Sequence, residues 1–227
     1  MRALETAHRN VVVFCETGPL PHAPFPTQHE FETERDRYEW ESWFGGTPAP
    51  IGTLATTRAF DTLNERVAVQ ALAEYAADLT FVFGTGVLKP PVVEMRPDRM
   101  LNLHGGDPER YRGLDTHLWA IYHREFDGLV TTLHHLGTGI DTGDIVLQQS
   151  VAVTPHMRIH ELRRANAEAC VALAMAAIEM VRDAGVVAAR PLRARGRYYS
   201  AMPAVLTDLC KVRFEAHTAR LTGRGSR

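Results

Sequence analysis

Between residues 102 and 145 the chain reads Asn102-Leu103-His104-Gly105-Gly106, then Tyr111-Arg112-Gly113, then Ile140-Asp141-Thr142-Gly143-Asp144-Ile145. An amide, an imidazole and a carboxylate stand near the ends of separate apolar runs, with turn-forming glycines beside them. Leu103 separates Asn102 from His104, so in a strand both polar side chains project from one face. Open α/β sheets bind ligands at the carboxyl ends of their strands, where this pair is expected. An asparagine amide can donate to a carbonyl oxygen that gains negative charge during attack. A neighbouring imidazole can donate to the same oxygen or exchange a proton with an attacking amine. The tight loop around Asp141 can deliver a carboxylate there, to tune His104 or to order a relaying water. Singly, each residue also has a structural explanation. Asn-x-His can be two satisfied polar side chains, and Asp-x-Gly a turn aspartate bonded to its own backbone. Asp144, directly before the strand at 145–147, suits that second role.

Short apolar runs and helical patterns alternate around this stretch. Residues 10–15 form a β-branched run suited to a buried strand. Pro19, Pro21, Pro24 and Pro26 then discourage regular structure. Residues 33–44 predict a short helix whose Tyr38, Trp40, Trp43 and Phe44 pack on the sheet edge. Residues 61–77 predict a helix capped by Asp61 or Thr62, with Leu63, Val67, Leu72 and Tyr75 sharing one face. Residues 79–83 and 99–103 read as strands, 116–124 as a helix, and 129–135 and 145–153 as extended. Residues 159–182 predict a long alanine-rich helix offering Leu162, Cys170, Leu173, Ala177 and Val181 for burial. This alternation predicts a three-layer α/β domain. Beyond Gly185 the pattern weakens, and residues 221–227 are expected to fray. The expected division is a main domain over 1–185 and an extension over 186–227 packed on it.

The chain has 227 residues, 45% of them hydrophobic, which suits one domain with a sizeable core. Its 25 basic and 27 acidic residues leave a formal net charge of -2, which argues against a general polyanion binder. Arg190, Arg193, Arg195 and Arg197 still cluster, either as a solvated segment or as a contact for an anionic ligand. Gly196-Arg197-Tyr198-Tyr199-Ser200 can likewise stack on a base or sugar, or anchor the chain to the core. Cys15, Cys170 and Cys210 show neither a disulfide framework nor metal-ligand spacing, so a cytoplasmic setting is expected. No apolar run reaches membrane-span length, and no signal-peptide core follows Met1-Arg2. His117, His123, His134 and His135 form no recognisable ligand pattern, and no metal is expected. Residues 83–89 fit neither a Walker loop nor a dinucleotide fingerprint. His104-Gly105-Gly106 resembles an esterase oxyanion loop, but no Gly-x-Ser-x-Gly elbow supplies a nucleophile.

Taken together and in order, Asn102, His104, Tyr111-Arg112-Gly113 and Asp141 resemble the signature of the folate-dependent formyltransferases. That signature is Asn-x-His, then Tyr-Arg-Gly, then Asp-x-Gly after a strand. Trp119-Ala120-Ile121 resembles the start of the family's next helix, and the resemblance covers about residues 79–153. It implies a Rossmann-type three-layer fold with a mostly parallel central sheet. The family opens with a strand and a helix before the strand that residues 10–15 resemble, so that first strand is expected to be missing, replaced or truncated. Asn102, His104 and Asp141 match the catalytic residues. Gly84, Thr85, Gly86, Val87 and Leu88 match a loop that holds the pteridine of 10-formyltetrahydrofolate, with Val87 and Leu88 flanking the heterocycle. Leu136, Gly137, Thr138, Gly139 and Ile140 match the loop facing it. Gly105, Gly106, Tyr111, Arg112 and Arg197 are the candidate acceptor contacts. One departure stands out: the family's Pro-Ser-Leu-Leu-Pro after the histidine is replaced by Gly105-Gly106-Asp107-Pro108-Glu109.

The resemblance implies transfer of a formyl group from 10-formyltetrahydrofolate to a primary amine. The favoured acceptor is an amino sugar attached to a nucleotide, whose diphosphate would meet Arg112 or Arg197. Glycinamide ribonucleotide is the next choice. Methionyl-tRNA ranks lower, because those enzymes continue into a second, basic, β-rich domain, whereas this chain is slightly acidic. A formyl-folate hydrolase, a histidine-rich metallohydrolase and a non-catalytic folate-binding homologue remain as rivals. A second copy of the chain is a candidate partner; a membrane is not.

Overall fold

The computed structural model describes residues 10–19 and 22–221, and strands alternate with helices through them. β1 (Val12–Glu16) leads to α1 (Phe31–Phe44), β2 (Thr56–Phe60), α2 (Arg66–Tyr75), β3 (Thr80–Val82), the short α3 (Pro90–Val93) and β4 (Met100–His104). There follow β5 (Tyr111–Gly113), α4 (Thr116–His123), β6 (Val130–His135), β7 (Ile145–Ser150), α5 (Leu162–Ala184), β8 (Arg197–Tyr199) and α6 (Ala204–Leu221). The expectation of a missing, replaced or truncated first strand concerns residues 1–9; of the stretch expected to fray, 221–227, Leu221 closes α6 and the rest is 222–227. Residues 1–9 and 222–227, like Pro21, lie outside the described residues.

Four strands build the central sheet in the order β3-β4-β6-β7, while β1-β2 and β5-β8 form separate pairs. Pairing is parallel in β1–β2, β3–β4 and β5–β8, three of the five pairs, and antiparallel in β4–β6 and β6–β7. The second antiparallel pair has a local cause. Residues 136–144 join β6 to β7 without the long crossover that a parallel link requires.

Alternation along β4 sorts its side chains between two helical layers. Leu101 and Leu103 pack with Leu133, Leu173 and Ala177 beneath α5. Met100 joins Val82, Leu88, Ala68 and Val92 on the opposite side, with α2 and α3. The result is a three-layer α/β arrangement. Leu101 and Leu133 are wholly buried, and each such side chain contributes about 1.5–3 kcal/mol. Asn102 and His104 share the face of Met100, so the leucines between them clamp the strand while the polar pair projects away from α5.

After Gly185, where the sequence pattern weakens, the chain forms β8 and α6. Met202, Cys210 and Phe214 bury against Tyr111, Ala120, Ile121, Ile159 and Leu162 in a third cluster. Two expected helices differ in detail. α2 begins at Arg66 after Glu65, which makes no side-chain capping bond. Thr62 and the Leu63 N–H instead donate to the Glu16 carboxylate, at 3.0 and 2.9 Å, which keeps the preceding turn out of the helix. Val67, expected on the buried face, is 62% exposed, and Ala68 takes the inward position. On α1, Trp40 and Trp43 face outward; Phe31 and Glu39 are buried, with Glu39 held by Arg163 at 2.8 Å.

Candidate active site

The register of the central sheet sets the site. Asn102 of β4 lies between Val82 of β3 and His134 of β6. Its Nδ2 is 3.1 Å from His134 Nε2 and 3.3 Å from Asp141 Oδ1. His134 donates from Nδ1 to the carbonyl of His135 at 2.8 Å, which leaves Nε2 to accept from the amide. Both neighbours of the amide are therefore acceptors, and the nitrogen of Asn102 must face them. The site thus includes His134, 2% exposed, to which the sequence assigns no role. Only the strand register reveals it, because that puts His134 opposite Asn102.

His104 closes the group. Its Nε2–H donates to the carbonyl of Tyr111 at 2.9 Å, and its Nδ1 faces Asp141 Oδ1 at 3.5 Å. Burial pushes the imidazole below the ordinary histidine value, and the Asp141 charge opposes this only in part. His104 is then neutral near pH 7, with the proton on Nε2 and a bare lone pair on Nδ1 directed at the carboxylate. For Asp141, burial opposes ionisation, but the Gly113 N–H and the two facing imidazoles, His134 and His104 in their protonated forms, favour the charged carboxylate and outweigh it. Its carboxyl titrates below the usual aspartate range and is ionised. Two proton acceptors thus face each other beside an amide donor.

Backbone contacts fix the carboxylate. Asp141 adopts a left-handed φ of 50°, a conformation aspartate tolerates better than most residues. Its Oδ2 accepts from the Gly113 N–H at 2.7 Å. Gly113 has a φ of 96°, and a Cβ there would stand 2.1 Å from the Tyr199 carbonyl oxygen. Arg112, expected among the acceptor contacts, is buried. It donates from Nε to the Gly196 carbonyl at 2.7 Å and from Nη1 to the Ile140 carbonyl at 2.9 Å. Its guanidinium holds the Asp141 loop against β5 and the chain before β8. Tyr111 likewise works through its carbonyl, since its buried ring stacks on Tyr199 at 5.4 Å and its hydroxyl donates to Glu125 at 2.6 Å.

The two expected pteridine loops emerge beside this group. Gly84, Thr85, Gly86 and Val87 follow β3, next to Asn102, and Leu136 to Ile140 run from β6 into Asp141. Phe83, Val87 and Ile140 keep 58%, 66% and 38% of their surface exposed. Leu88, expected to flank a ligand, is buried in the core cluster under α2. The first loop is held by Glu16 and Asn64, both distant from it in sequence. The Glu16 carboxylate, at the end of β1, accepts from the Gly86 N–H at 2.6 Å as well as from Thr62 and Leu63. Burial raises its pKa, but the N–H bonds from Leu63 and Gly86 and the Thr62 hydroxyl bring it below the ordinary value. Asn64 bonds the Val87 carbonyl at 3.0 Å and the Lys89 N–H at 2.7 Å. A charged residue closing an apolar strand is the signal that points to Glu16. In the second loop Thr142 bonds the Gly139 carbonyl at 3.1 Å, Gly137 lies near Thr142, and Thr138 is exposed.

The loop after His104 is built from this chain's own residues. The Gly105 carbonyl accepts from the Thr116 hydroxyl and the Gly106 carbonyl from Thr132. A Cβ at Gly106 would stand 2.7 Å from His104 Nε2, so only glycine lets the loop fold back under the imidazole. Asp107 receives Gln148 at 3.2 Å. Glu109 receives Arg190 at 2.8 and 3.1 Å and the Arg193 N–H at 2.6 Å. Two of the clustered arginines are thereby tied to this loop. Arg197 lies apart, lining an open cavity of about 340 Å³ with Trp119, Tyr122, His123, Tyr198, Tyr199 and Ser200. Among the described residues no group of three or more His, Cys, Asp or Glu side chains is placed to hold a metal ion. Nor is any described helix long and apolar enough to cross a membrane.

Residues 47–178, more than half of the chain, match the family model described as formyl transferase. Curated relatives include the methionyl-tRNA formyltransferase of Desulfotalea psychrophila, 35% identical over 88 residues, covering 38% of this chain and 27% of that protein. The enzyme of Chlamydia abortus is 33% identical over 129 residues, 53% of this chain and 39% of that protein. The matched part thus spans well under half the length of these relatives. Among solved structures, the formyltransferase PseJ of Anoxybacillus kamchatkensis superposes with a TM-score of 0.54 at 20% identity, over 83% of this chain and 84% of that one. That protein was crystallised with UDP-4,6-dideoxy-4-formamido-L-AltNAc and tetrahydrofolate. HypX of Aquifex aeolicus gives 0.55 at 16% identity, over 91% of this chain and 34% of that one.

Proposed function

This chain belongs to the formyl transferase family, and on that premise we propose that it moves a formyl group from 10-formyltetrahydrofolate to a primary amine. The observation that carries the reading is the bare Nδ1 of His104 facing the ionised Asp141 beside the Asn102 amide. An attacking amine must lose a proton, and a neutral imidazole paired with a carboxylate is built to take it. Protonated His104 then pairs with Asp141, which stabilises the imidazolium. Asn102 gives one N–H to the developing oxyanion by exchanging its longer bond, the 3.3 Å contact to Asp141. His134, accepting from the same amide, keeps it oriented.

The residues present fit the donor. Glycine-bearing loops beside Asn102 and Asp141 offer backbone groups, and exposed Phe83, Val87 and Ile140 offer apolar surface to a flat heterocycle. As formyl donor, the folate supplies an activated carbonyl. Glu16 and Asn64 hold the first loop in shape, and Arg112 holds the second. In this reading residues 1–185 are the catalytic domain and 186–227 a C-terminal extension.

The acceptor we favour is an amino sugar carried on a nucleotide. PseJ, with which this chain shares a fold over most of both lengths, was crystallised with a UDP-linked formamido sugar. The methionyl-tRNA formyltransferases match over only 27% and 39% of their lengths. A tetrahydrofolate-release assay against nucleotide amino sugars, glycinamide ribonucleotide and initiator methionyl-tRNA, with product masses measured, tests the choice. Faster transfer to the tRNA than to every amino sugar would overturn it. Release of folate with formate as sole product would mark a hydrolase.

A further inference from the structure

We propose that the open cavity beside β8 seats the nucleotide half of the acceptor, as a nucleoside diphosphate with its base on the aromatic wall and its phosphates on Arg197. The proposal rests on the reading of the acceptor as a nucleotide-linked amine, and it assigns that nucleotide a place.

The wall is pre-formed. Trp119 donates from Nε1 to the Ser200 carbonyl at 2.9 Å, which pins the end of β8 to α4. The Trp119 and Tyr199 rings lie 5.0 Å apart, and the Tyr199 hydroxyl meets His123 Nε2 at 3.2 Å. These contacts hold three rings in place before any ligand arrives, so little side-chain freedom remains to be lost on binding. Tyr198 is 51% exposed, which leaves its ring free to stack. A planar base is the group that such a wall recognises.

The charge is equally specific. No aspartate or glutamate lines the cavity. Arg197 stacks its guanidinium 5.4 Å from the Tyr199 ring centre and has no ion-pair partner among the described residues. By contrast, Arg190 is committed to Glu109. An unpartnered, stacked guanidinium next to an aromatic wall suits a phosphate group. RNA binding instead gathers strength over many phosphates, and one free guanidinium in the lining argues for a small nucleotide.

The cavity also lies next to the chemistry. Tyr198 pairs with Arg112 across β5–β8. A Cβ on Gly113 would meet the Tyr198 ring at 2.8 Å, while the Gly113 N–H is bonded to Asp141. One glycine therefore separates the cavity wall from the Asp141 carboxylate. A sugar attached to the phosphates extends past Gly113 and brings its amine to His104.

Calorimetric titration of the full chain with UDP tests this, with uridine and a short RNA hairpin as parallel probes. UDP should bind and uridine should bind more weakly. Arg197→Ala should weaken UDP by about tenfold or more, and Tyr198→Ala should weaken both. Both side chains are exposed, and unchanged binding of a non-reactive folate analogue shows that each variant is folded. With a nucleotide amino sugar as acceptor, Arg197→Ala should raise KM and spare kcat. UDP affinity unaltered by both substitutions, no UDP binding at all, or preferred binding of the hairpin would overturn the assignment. The UDP titration needs no folate. A wild-type chain that binds UDP but neither binds folate nor formylates an amine would refute the reaction and leave this site standing.

Discussion

His104 Nδ1 and Asp141 Oδ1 stand 3.5 Å apart with no proton between them, because the His104 proton is held on Nε2 by the Tyr111 carbonyl. The pair is thus poised to accept a proton. Burial lowers the His104 pKa and the Asp141 charge raises it part of the way back. The acid limb of the kcat/KM profile should therefore fall below the ordinary histidine value of about 6.5. In Asp141→Asn the raising charge is gone, so the limb should move further down and the plateau should drop. A limb that rises in that variant would contradict the assignment of His104 as base.

Asn102→Ala should lower kcat by about a hundredfold or more, the usual effect of losing an oxyanion donor. His134→Ala should have a smaller effect on kcat, since His134 only orients the amide. His134→Gln, which can still accept from the amide, should recover part of it. Near-normal turnover in Asn102→Ala would remove its role.

Gly113→Ala should act on stability and catalysis together. Its φ of 96° and the 2.1 Å approach of a Cβ to the Tyr199 carbonyl leave no room for a methyl group. A loss of about 1–3 kcal/mol is expected in urea denaturation, and kcat should fall as the N–H shifts away from Asp141. Unchanged stability would show that β5 and β8 separate easily.

The central strand and the Asp141 loop were legible in the sequence because their rules are local. Alternation sorts Asn102 and His104 from Leu101 and Leu103, and a glycine two residues on marks the Asp141 turn. What was hidden depends on pairing between distant segments. The role of His134 comes from lying opposite Asn102, and that of Glu16 from reaching Gly86 across seventy residues of sequence. α6 was obscured by inverted polarity: Thr207, Cys210 and Thr218 are buried while Val205, Leu209 and Val212 are exposed, which blurs the apolar stripe that normally reveals a helix. Arg112 is a related case. A sequence shows an available cation, but not the two carbonyls that occupy it.

Glu16→Gln tests the folate loop separately from the acceptor. The carboxylate gathers Gly86, Leu63 and Thr62, and the amide can accept only part of that set. Affinity for a non-reactive folate analogue should fall by about tenfold, as for a lost charge-assisted bond, with nucleotide affinity preserved. Equal loss of both would indicate general unfolding.

His117 gives a stability signature independent of catalysis. Burial pushes its pKa down to about 4 in the folded chain, whereas the unfolded chain titrates near about 6.5. Between these values the unfolded state binds the extra proton. Stability from this residue should rise as pH increases through the window and level off above it, by roughly 3 kcal/mol in all. His117→Gln, which keeps a donor for the Val130 carbonyl, should flatten the dependence.

The central claim is that His104, Asp141 and Asn102 move a formyl group onto an amine, and mass analysis of a single reaction tests it most directly. Purified chain, 10-formyltetrahydrofolate and a nucleotide-linked amino sugar should yield tetrahydrofolate and an acceptor heavier by one CO unit. His104→Ala should abolish both products, and Asp141→Asn should lower both in parallel. An unmodified acceptor across the whole amine panel, or full activity in either variant, would contradict the account.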